Sequence, residues 1–300
     1  MDTVYRGRFA PSPTGALHFG SLVAAVGSYL EARTQGGEWL VRIEDVDRPR
    51  TVTGAADAIL KTLEASGMHW DGTVMFQSAR TDSYQAAMHE LRREGWVYPC
   101  ACSRREIADS GLAGIDGYVY PGTCRAGLPV GRPARAWRVR TQGARVAFDD
   151  AIQGHIEHDL EREVGDFVLL RADGLHAYQL AVVVDDAHQG ITHVVRGSDL
   201  LGSTPRQIHL QRLLGLPRLQ YAHLPVAVDA QGRKLSKQTL AAPVDAGDIG
   251  RALHAALTFL GQPLPPSLKA APVDEIWRWA LDNWTLDCVP RVLACEAPRG

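Results

Sequence analysis

The sequence predicts an α/β fold in which helices pack against a parallel sheet, and three observations predict it. Short apolar runs alternate with helical patterns over the first 97 residues. A turn rich in Pro and Gly directly follows the first predicted strand, as in strand–turn–helix units. The alternation stops near residue 98 and resumes near residue 176, which indicates an insertion within the fold.

The elements of the first part follow from apolar spacing. The run from Tyr5 to Ala10 has strand character and ends at turn residues 11–15. A helix begins near His18, because apolar residues from Leu22 to Leu30 recur at helical spacing. In chain order, the predicted elements are a strand at 5–10, a helix from 18 to the Gly pair at 36–37, a strand at 39–43, and helices at 53–65 and 82–94.

Gly, Pro and Arg replace this alternation after residue 98. Ser103 and Glu106 have the spacing of a capping box and predict a short helix. Further elements are predicted as strands at 136–139, 146–148, 177–184 and 193–196, a helix at 204–214, an extended segment at 219–228, and helices at 248–260 and 273–284. We therefore predict a main α/β domain at 1–97 and 176–242, an insertion at 98–175 and an all-helical tail at 243–300.

Composition restricts the class of protein. The net charge is −2, so the total charge favours neither a nucleic-acid nor a membrane partner. The segment from Gly117 to Phe148 nevertheless lacks carboxylates and carries six arginines, at 125, 132, 135, 138, 140 and 145. This segment is either a phosphate-contacting surface or an ordinary solvated face. No apolar run is long enough to span a membrane and no signal peptide is evident, so we expect a cytoplasmic protein.

Two distant segments predict a phosphate site. Gly15 to Gly20 joins the first strand to the first helix, where free backbone N–H groups and the positive helix end favour an anion. His18 can donate a hydrogen bond to a phosphate oxygen, although a histidine at a helix start is often structural. Lys234 and Lys237 lie in a Gly-flanked loop of a chain with only four lysines. A compact, mobile ammonium suits a passing phosphate better than a rigid guanidinium does.

These segments resemble the two signature motifs of class I aminoacyl-tRNA synthetases. Residues 17–20, Leu-His-Phe-Gly, resemble the HIGH motif, and residues 234–238, Lys-Leu-Ser-Lys-Gln, resemble KMSKS. Residues 8–15 and 41–47 narrow the resemblance to the glutamyl branch. It implies a Rossmann-like catalytic domain that forms an acyl-adenylate from ATP with Mg²⁺, with His18 and Lys237 as catalytic residues. The implied ATP-binding residues are Gly15, His18, Gly20, Lys234, Ser236 and Lys237.

The same resemblance implies a pocket for L-glutamate. Arginine recognises carboxylates in a bidentate manner, and an acidic group must meet the α-ammonium. Arg8 and Arg196 are therefore the expected carboxylate contacts, and Glu44 is the expected ammonium contact. Glutaminyl relatives usually carry Glu where this chain has Ser12, which favours glutamate over glutamine. The full set of implied glutamate-binding residues is Arg8, Phe9, Ala10, Pro11, Ser12, Glu44, Tyr178 and Arg196.

Three cysteines within the predicted insertion suit a structural zinc site. Cys100, Cys102 and Cys124 lie within 25 residues of a loop-rich segment, and cytosolic cysteines are seldom disulfide-bonded. The resemblance to a family with a Cys-x-Cys…Tyr-x₃-Cys arrangement implies Tyr120 as the fourth ligand of one Zn²⁺. Free thiols packed in the insertion are the alternative.

The resemblance to full glutamyl synthetases ends near Lys237, and 63 residues follow it. We expect no anticodon-binding domain. Over the whole chain, the resemblance is to truncated relatives that activate glutamate without tRNA and attach it to queuosine at the wobble position of tRNA-Asp. That similarity implies the queuosine-bearing anticodon stem-loop as partner, no membrane partner and a monomeric chain. The alternatives are a shortened synthetase that charges a tRNA 3′ end and a non-catalytic regulator that binds RNA or a ligand.

Overall fold

The computed structural model describes residues 4–111, 113–115, 117–235, 244 and 246–298. Within these residues the strands are β1 (Arg6–Phe9), β2 (Glu38–Ile43), β3 (Met75–Phe76), β4 (Val97–Cys100), β5 (Ala113–Gly114), β6 (Gly117–Tyr118), β7 (Ala136–Val139), β8 (Arg145–Asp150), β9 (Gly154–Asp159), β10 (Val168–Leu170), β11 (His193–Gly197), β12 (Gln220–Leu224), β13 (Val226–Val228) and β14 (Ala294–Glu296). The helices are α1 (Phe19–Thr34), α2 (Ala55–Ala65), α3 (Thr81–Arg93), α4 (Arg104–Ala108), α5 (Leu160–Glu163), α6 (Tyr178–His188), α7 (Thr204–Leu213), α8 (Ile249–Phe259) and α9 (Val273–Asn283).

The central sheet is parallel, as the sequence predicts. Strands β1, β2 and β3 pair in parallel, and β11 pairs in parallel with β12. The two groups are joined because the Thr192 N–H donates to the Arg6 carbonyl and the Arg6 N–H donates to the Thr192 hydroxyl. The order is therefore β3-β2-β1-β11-β12. The chain runs from β1 to β2 on one side of the sheet and from β11 to β12 on the other, so the strand order reverses between β1 and β11. In such sheets ligands bind at this point, beyond the carboxyl ends of the strands.

Helix α1 fixes the start of this unit. Leu22, Val26 and Leu30 are fully buried against the sheet and against α8, so one face of the helix belongs to the main core. Burying a leucine is worth about 2 kcal/mol in favour of folding. This packing places the N-terminus of α1 directly after the turn that follows β1.

The predicted strand at 177–184 is wrong, because these residues form the start of helix α6. The apolar run contains three consecutive β-branched valines, which favour a strand by intrinsic preference. The helix is buried on almost every side, so its sequence lacks the polar stripe that marks an amphipathic helix. Burial on all sides has therefore overridden both local signals.

The predicted insertion contributes strands to three sheets, one of which is the two-stranded pair β5–β6. Strands β4, β7 and β10 form an antiparallel sheet, and Ser103 and Glu106 make the predicted capping box at the start of α4. The hairpin of β8 and β9 extends the central sheet, because Asp150 on β8 pairs with Tyr221 on β12. The hairpin is thus continuous with strands of the main domain.

The segment after residue 246 contains the two predicted helices, α8 and α9. It is not entirely helical, because β14 follows them and pairs in parallel with β13. Three residues are too short for the sequence pattern to indicate this strand. In the described part of the chain, every helix falls short of the length and apolar character needed to cross a bilayer.

Candidate active site

A cavity of about 780 Å³ lies beyond the carboxyl ends of β1 and β11. Its lining includes every residue predicted to bind glutamate, together with three of those predicted to bind ATP. These residues are Arg8, Phe9, Ala10, Pro11, Ser12, Glu44, Tyr178, Arg196, His18, Gly20 and Lys234. Gly15 lies in the adjoining turn with a φ of 144°, a conformation that favours glycine. Ser236 and Lys237 lie outside the described residues.

His18 is the N-cap of α1. Its Nδ1 accepts a hydrogen bond of 3.3 Å from the Ser21 N–H, and its Nε2 lies 2.9 Å from the Ser21 hydroxyl. The cap holds the imidazole at the positive end of the helix, where free N–H groups and the helix dipole favour an anion. The ring therefore faces the cavity from a fixed position.

The two predicted phosphate segments meet across the cavity. The Leu235 N–H donates to the Ala227 carbonyl, which holds the start of the segment 234–238, called here the lysine loop, against β13. A Cβ at Gly20 would lie 3.3 Å from the Leu235 carbonyl oxygen, so glycine allows this close passage. The Lys234 ammonium lies 2.5 Å from the Asp199 carboxylate, just after β11. A second basic residue thus reaches the same cavity as His18.

Behind the cavity, Asp186 binds two buried arginines. Arg8 donates to it through Nε at 3.1 Å and Nη2 at 3.2 Å, and Arg42 donates through Nη2 at 2.7 Å. Burial acts to raise the pKa of Asp186, but the two guanidinium groups hold it below its ordinary value. Arg8 therefore commits two of its donors to the protein.

Glu44 directly follows β2, and its side chain is only 9% exposed. Its Oε1 lies 3.6 Å from Nη2 of Arg42 and accepts no hydrogen bond from the described residues. Burial raises the pKa of Glu44 to about 7. A buried acceptor without a donor is costly, so this oxygen suits a donor supplied by a ligand.

Arg196 on β11 is held by neutral acceptors. Its Nε donates to His223 at 3.1 Å, and its Nη2 donates to Thr204 and to Gln207 at 2.8 Å each. Its Nη1 lies 3.4 Å from the Tyr178 hydroxyl. Among the described residues no carboxylate pairs with Arg196, although the residue is only 5% exposed. A buried, uncompensated guanidinium favours an anionic ligand.

Sequence reasoning missed the residues that support this site, chiefly Asp186, Asp199 and His223. Asp186 had one detectable signal, because the adjacent pair Asp185–Asp186 follows directly on an apolar run. Asp199 follows Arg196 closely, but its contact with Lys234 depends on the tertiary fold. His223 lies in an ordinary strand pattern and carries no local signal.

The cysteine cluster forms a separate site at the end of β4. The sulfurs of Cys100, Cys102 and Cys124 all lie within 4.8 Å of one another. Sulfurs of Cys102 and Cys124 are 3.7 Å apart, and the Tyr120 hydroxyl lies 3.3 Å from Cys100 and 3.8 Å from Cys102. Tetrahedral zinc with Zn–S bonds of about 2.3 Å separates its sulfurs by roughly 3.8 Å. The cluster can therefore hold a metal ion of that size.

Most of the arginine-rich segment serves the fold. Arg125 binds Asp166 and Glu161, and Arg132 binds Glu106. Arg138 lies over the Tyr120 ring and donates to Cys100, and Arg140 lies over the Tyr98 ring. Arg135 and Arg145 are exposed. The segment is therefore neither a continuous phosphate-contacting surface nor a plain solvated face.

Comparison with a family model agrees with this geometry. The model of tRNA synthetases class I (E and Q), catalytic domain, matches residues 4–112 and 134–259. The matched ranges contain β1, the N-terminus of α1, β11 and the lysine loop, so they include the whole cavity lining. The unmatched residues 113–133 include Tyr120 and Cys124.

Relatives match nearly the whole chain. A glutamyl-Q tRNA(Asp) synthetase of Aromatoleum aromaticum is 64% identical over 98% of this chain and 93% of its own length. Another, of Dechloromonas aromatica, is 62% identical over 97% of each chain. The crystal structure of a glutamate-tRNA synthetase from Elizabethkingia anophelis superposes with a TM-score of 0.79 at 25% identity, covering 97% of this chain and 68% of that one. The chain belongs to the glutamyl-Q tRNA(Asp) synthetases, within the class I synthetases for glutamate and glutamine.

Proposed function

We propose that the chain activates L-glutamate with ATP in the absence of tRNA and transfers it to queuosine at the wobble position of tRNA-Asp. The single observation that carries the proposal is the composition of the cavity. A helix N-terminus and Lys234 face one part of it. Another part is faced by Arg196, which forms no ion pair with a described carboxylate, and by Oε1 of Glu44, which accepts no hydrogen bond from a described residue. A nucleotide phosphate and an amino acid therefore have complementary groups in one space.

The innermost charges favour glutamate over glutamine. Three guanidinium groups, of Arg8, Arg42 and Arg196, surround two carboxylates, of Glu44 and Asp186. With both acids ionised, this group carries one excess positive charge. Glutamate at neutral pH carries one excess negative charge, whereas glutamine carries none. The pocket and glutamate therefore neutralise each other, which reduces the cost of burying them together.

Within the amino-acid site, each charged group of glutamate has a partner of opposite sign. Glu44 offers a free oxygen to the α-ammonium, and Arg196 offers Nη1 to a carboxylate beside the Tyr178 hydroxyl. Arg8 and Ser12 line the same space and supply further donors. We assign these four roles on the strength of charge and position.

At the nucleotide end, positioning and charge stabilisation are the main requirements. A carboxylate oxygen of glutamate attacks the α-phosphorus of ATP, an O–P bond forms, and pyrophosphate leaves. His18 and the N-terminus of α1 orient the phosphates, and Lys234 and Lys237 neutralise the charge that develops. Mg²⁺ accompanies the nucleotide and screens its phosphate charges when bound.

We assign the cysteine cluster to one structural zinc ion, held by Cys100, Cys102, Cys124 and Tyr120. The sulfur and oxygen spacings support tetrahedral coordination, and thiolates are preferred zinc ligands. Arg138 approaches both Cys100 and the Tyr120 ring, so it balances part of the negative charge of the ligands. A bound metal would tie β4 to the following loop.

The acceptor is proposed from the relatives. Identity is above 60% to two glutamyl-Q tRNA(Asp) synthetases and 25% to a glutamate-tRNA synthetase. We propose that the exposed Arg135 and Arg145 of the arginine-rich segment contact RNA phosphates. A monomeric state and a cytoplasmic location remain predictions.

One experiment tests both steps. Glutamate-dependent exchange of pyrophosphate into ATP, without tRNA, reports activation. Absence of this exchange would favour the alternative of a non-catalytic regulator that binds RNA or a ligand. Labelled glutamate is then offered with queuosine-containing tRNA-Asp, with the same tRNA bearing unmodified guanosine, and with queuosine-containing tRNA-Asp that lacks its 3′-terminal adenosine. Labelling of both queuosine-containing tRNAs is expected. Labelling that requires the 3′ adenosine, and not queuosine, would instead identify a shortened synthetase.

A further inference from the structure

A buried chain of hydrogen bonds leads from the β8–β9 hairpin to Arg196. The Asp150 carboxylate lies 2.6 Å from Nδ1 of His223, and Nε2 of His223 accepts from Nε of Arg196 at 3.1 Å. Asp150 is 4% exposed and His223 is fully buried. The three side chains form a continuous connection from a strand of the predicted insertion to the amino-acid end of the cavity.

Only one tautomer of His223 satisfies its contacts with both Asp150 and Arg196, and in that tautomer Nε2 can also accept from the Thr204 hydroxyl, 3.1 Å away. An ionised carboxylate accepts hydrogen bonds, so Nδ1 must carry the proton that faces Asp150. Arginine only donates, so Nε2 must present its lone pair to Arg196. Burial, the largest effect, lowers the pKa of His223 to about 4, so the ring is neutral near pH 7. The opposite tautomer would set two N–H donors against each other.

The carboxylate of Asp150 is itself fixed. Its Oδ1 accepts from the backbone N–H groups of Ile152, Gln153 and His223 at 2.9–3.1 Å. Those bonds use one oxygen and leave the other for the ring. The turn after β8 therefore sets the direction in which the imidazole is held.

We infer that Asp150 and His223 are positioning residues for substrate recognition, which hold the Arg196 guanidinium toward the cavity while leaving its positive charge available. A carboxylate placed directly on Arg196 would hold it equally well, but it would neutralise the charge that the substrate needs. A neutral imidazole holds the Nε–H without that cost. The inference rests on the proposed binding of a glutamate carboxylate by Arg196.

Substitutions that separate the two ring nitrogens test this role. His223→Asn keeps an amide near the Nδ1 position but cannot reach Arg196, whereas His223→Gln places an amide oxygen near the Nε2 position. In pyrophosphate exchange, His223→Asn is expected to raise the KM for glutamate about tenfold or more, as for loss of a hydrogen bond to a charged group. His223→Gln is expected to stay within about threefold of the wild type, and neither should change the KM for ATP.

His209→Gln is the matched control, because this histidine is also buried but bonds to the Arg140 carbonyl and does not line the cavity. It is expected to leave the KM for glutamate unchanged. Asp150→Asn provides a second variant. Its side-chain oxygen can still accept from the backbone N–H groups, but its amide no longer presents a carboxylate to His223, so the KM for glutamate should also rise. Equal effects of the two His223 substitutions, or losses in kcat and stability with an unchanged KM for glutamate, would overturn the inference.

A measurement on the unaltered protein separates the inference from the proposed function. Long-range ¹H–¹⁵N spectra of histidine-labelled protein should show His223, assigned by its absence in His223→Gln, protonated at Nδ1 and unprotonated at Nε2. A proton on Nε2 would refute the positioning pair, whatever the activity. Absence of glutamate-dependent exchange in the wild type would refute the proposed function, and the spectrum would still decide the geometry.

Discussion

The Oε1 oxygen of Glu44 lies 3.6 Å from Nη2 of Arg42, yet it accepts no hydrogen bond from the described residues. Arg42 instead directs its close contacts to Asp186 and Gln189. The pocket thus contains a carboxylate oxygen that lies near a guanidinium group without accepting a hydrogen bond from it. Such an oxygen gains most from a ligand that brings its own donors, as an α-ammonium does.

The first prediction concerns pH. Because burial raises the pKa of Glu44 to about 7, kcat/KM for glutamate in pyrophosphate exchange should rise as pH increases through that value. Glu44→Gln should remove this dependence and lower kcat/KM by roughly 100-fold, since the buried ammonium loses its charged partner. Initial rates at low glutamate over a pH series provide the measurement.

Stability gives the control for that variant. The pKa of folded Glu44 exceeds its ordinary value of 4.5, so the folded protein retains the proton longer than the unfolded chain does. The associated stability is present below that ordinary value and is lost as pH rises toward 7. Glu44→Gln, which mimics the protonated acid, should therefore unfold at a higher temperature than wild type above pH of about 7. A lower unfolding temperature there would contradict the assignment.

The second prediction concerns the passage of the lysine loop over α1. In Gly20→Ala, the added Cβ would lie 3.3 Å from the Leu235 carbonyl oxygen, which is backbone and cannot rotate away. The loop should shift, and the KM for ATP should rise about tenfold, because Lys234 moves with it. The glutamate KM should change little, since the charged groups behind the cavity are unaffected. Exchange kinetics with each substrate varied separately distinguish these effects.

Gly54→Ala is the matched substitution at the start of another helix. An added Cβ there meets nothing within 4 Å, but its φ of 77° strains any residue other than glycine. It should lower stability without changing either KM. In contrast, alanine at position 20 lies within α1 and should stabilise the helix by about 0.5–1 kcal/mol. Equal KM values for ATP in the two variants would argue against contact between the loop and the helix.

Two elements near the start of the chain were located from sequence to within a few residues. Helix α1 carries apolar residues at helical spacing over 16 residues, which is too long for an ordinary strand, and β2 is a short apolar run. The Gly pair at 36–37 marks the boundary between them. Helix α6 was predicted as a strand because almost all of its faces are buried. The apolar spacing of a helix is recognisable in the sequence where one of its faces meets solvent, and α6 has almost no such face.

The substrate-facing groups were likewise easier to predict than those behind them. Glu44 and Arg196 occur at positions that match motifs of a known family, whereas Asp186 acts through contacts with Arg8 and Arg42 from a distant part of the chain. No spacing rule connects residues 8, 42 and 186. Their association follows from the sheet order, which puts β1 beside β2, and from the position of α6, whose Asp186 reaches an arginine on each strand.

The third prediction concerns that association. Asp186→Asn would leave two buried guanidinium groups without their shared counter-charge. Breaking a buried ion pair in this manner costs about 3–5 kcal/mol, so the free energy of unfolding should fall by that order. Asp173→Asn, which alters an exposed pair with Arg171, should change it by less than about 1 kcal/mol. Urea unfolding of both variants provides the comparison, and similar losses would show that Asp186 is not an essential counter-ion.

The last prediction concerns the metal. Cys102→Ser should lower the zinc content well below one ion per chain, because it removes a thiolate from a cluster whose spacing suits tetrahedral coordination. Cys288→Ser alters an exposed thiol outside the cluster and should leave zinc unchanged. Tyr120→Phe leaves all three sulfurs in place, so it should weaken retention during dialysis against a chelator without abolishing binding. Elemental analysis of the three variants decides the point: zinc retained by Cys102→Ser would exclude the cluster as the site, and unchanged retention by Tyr120→Phe would exclude the phenol as a ligand.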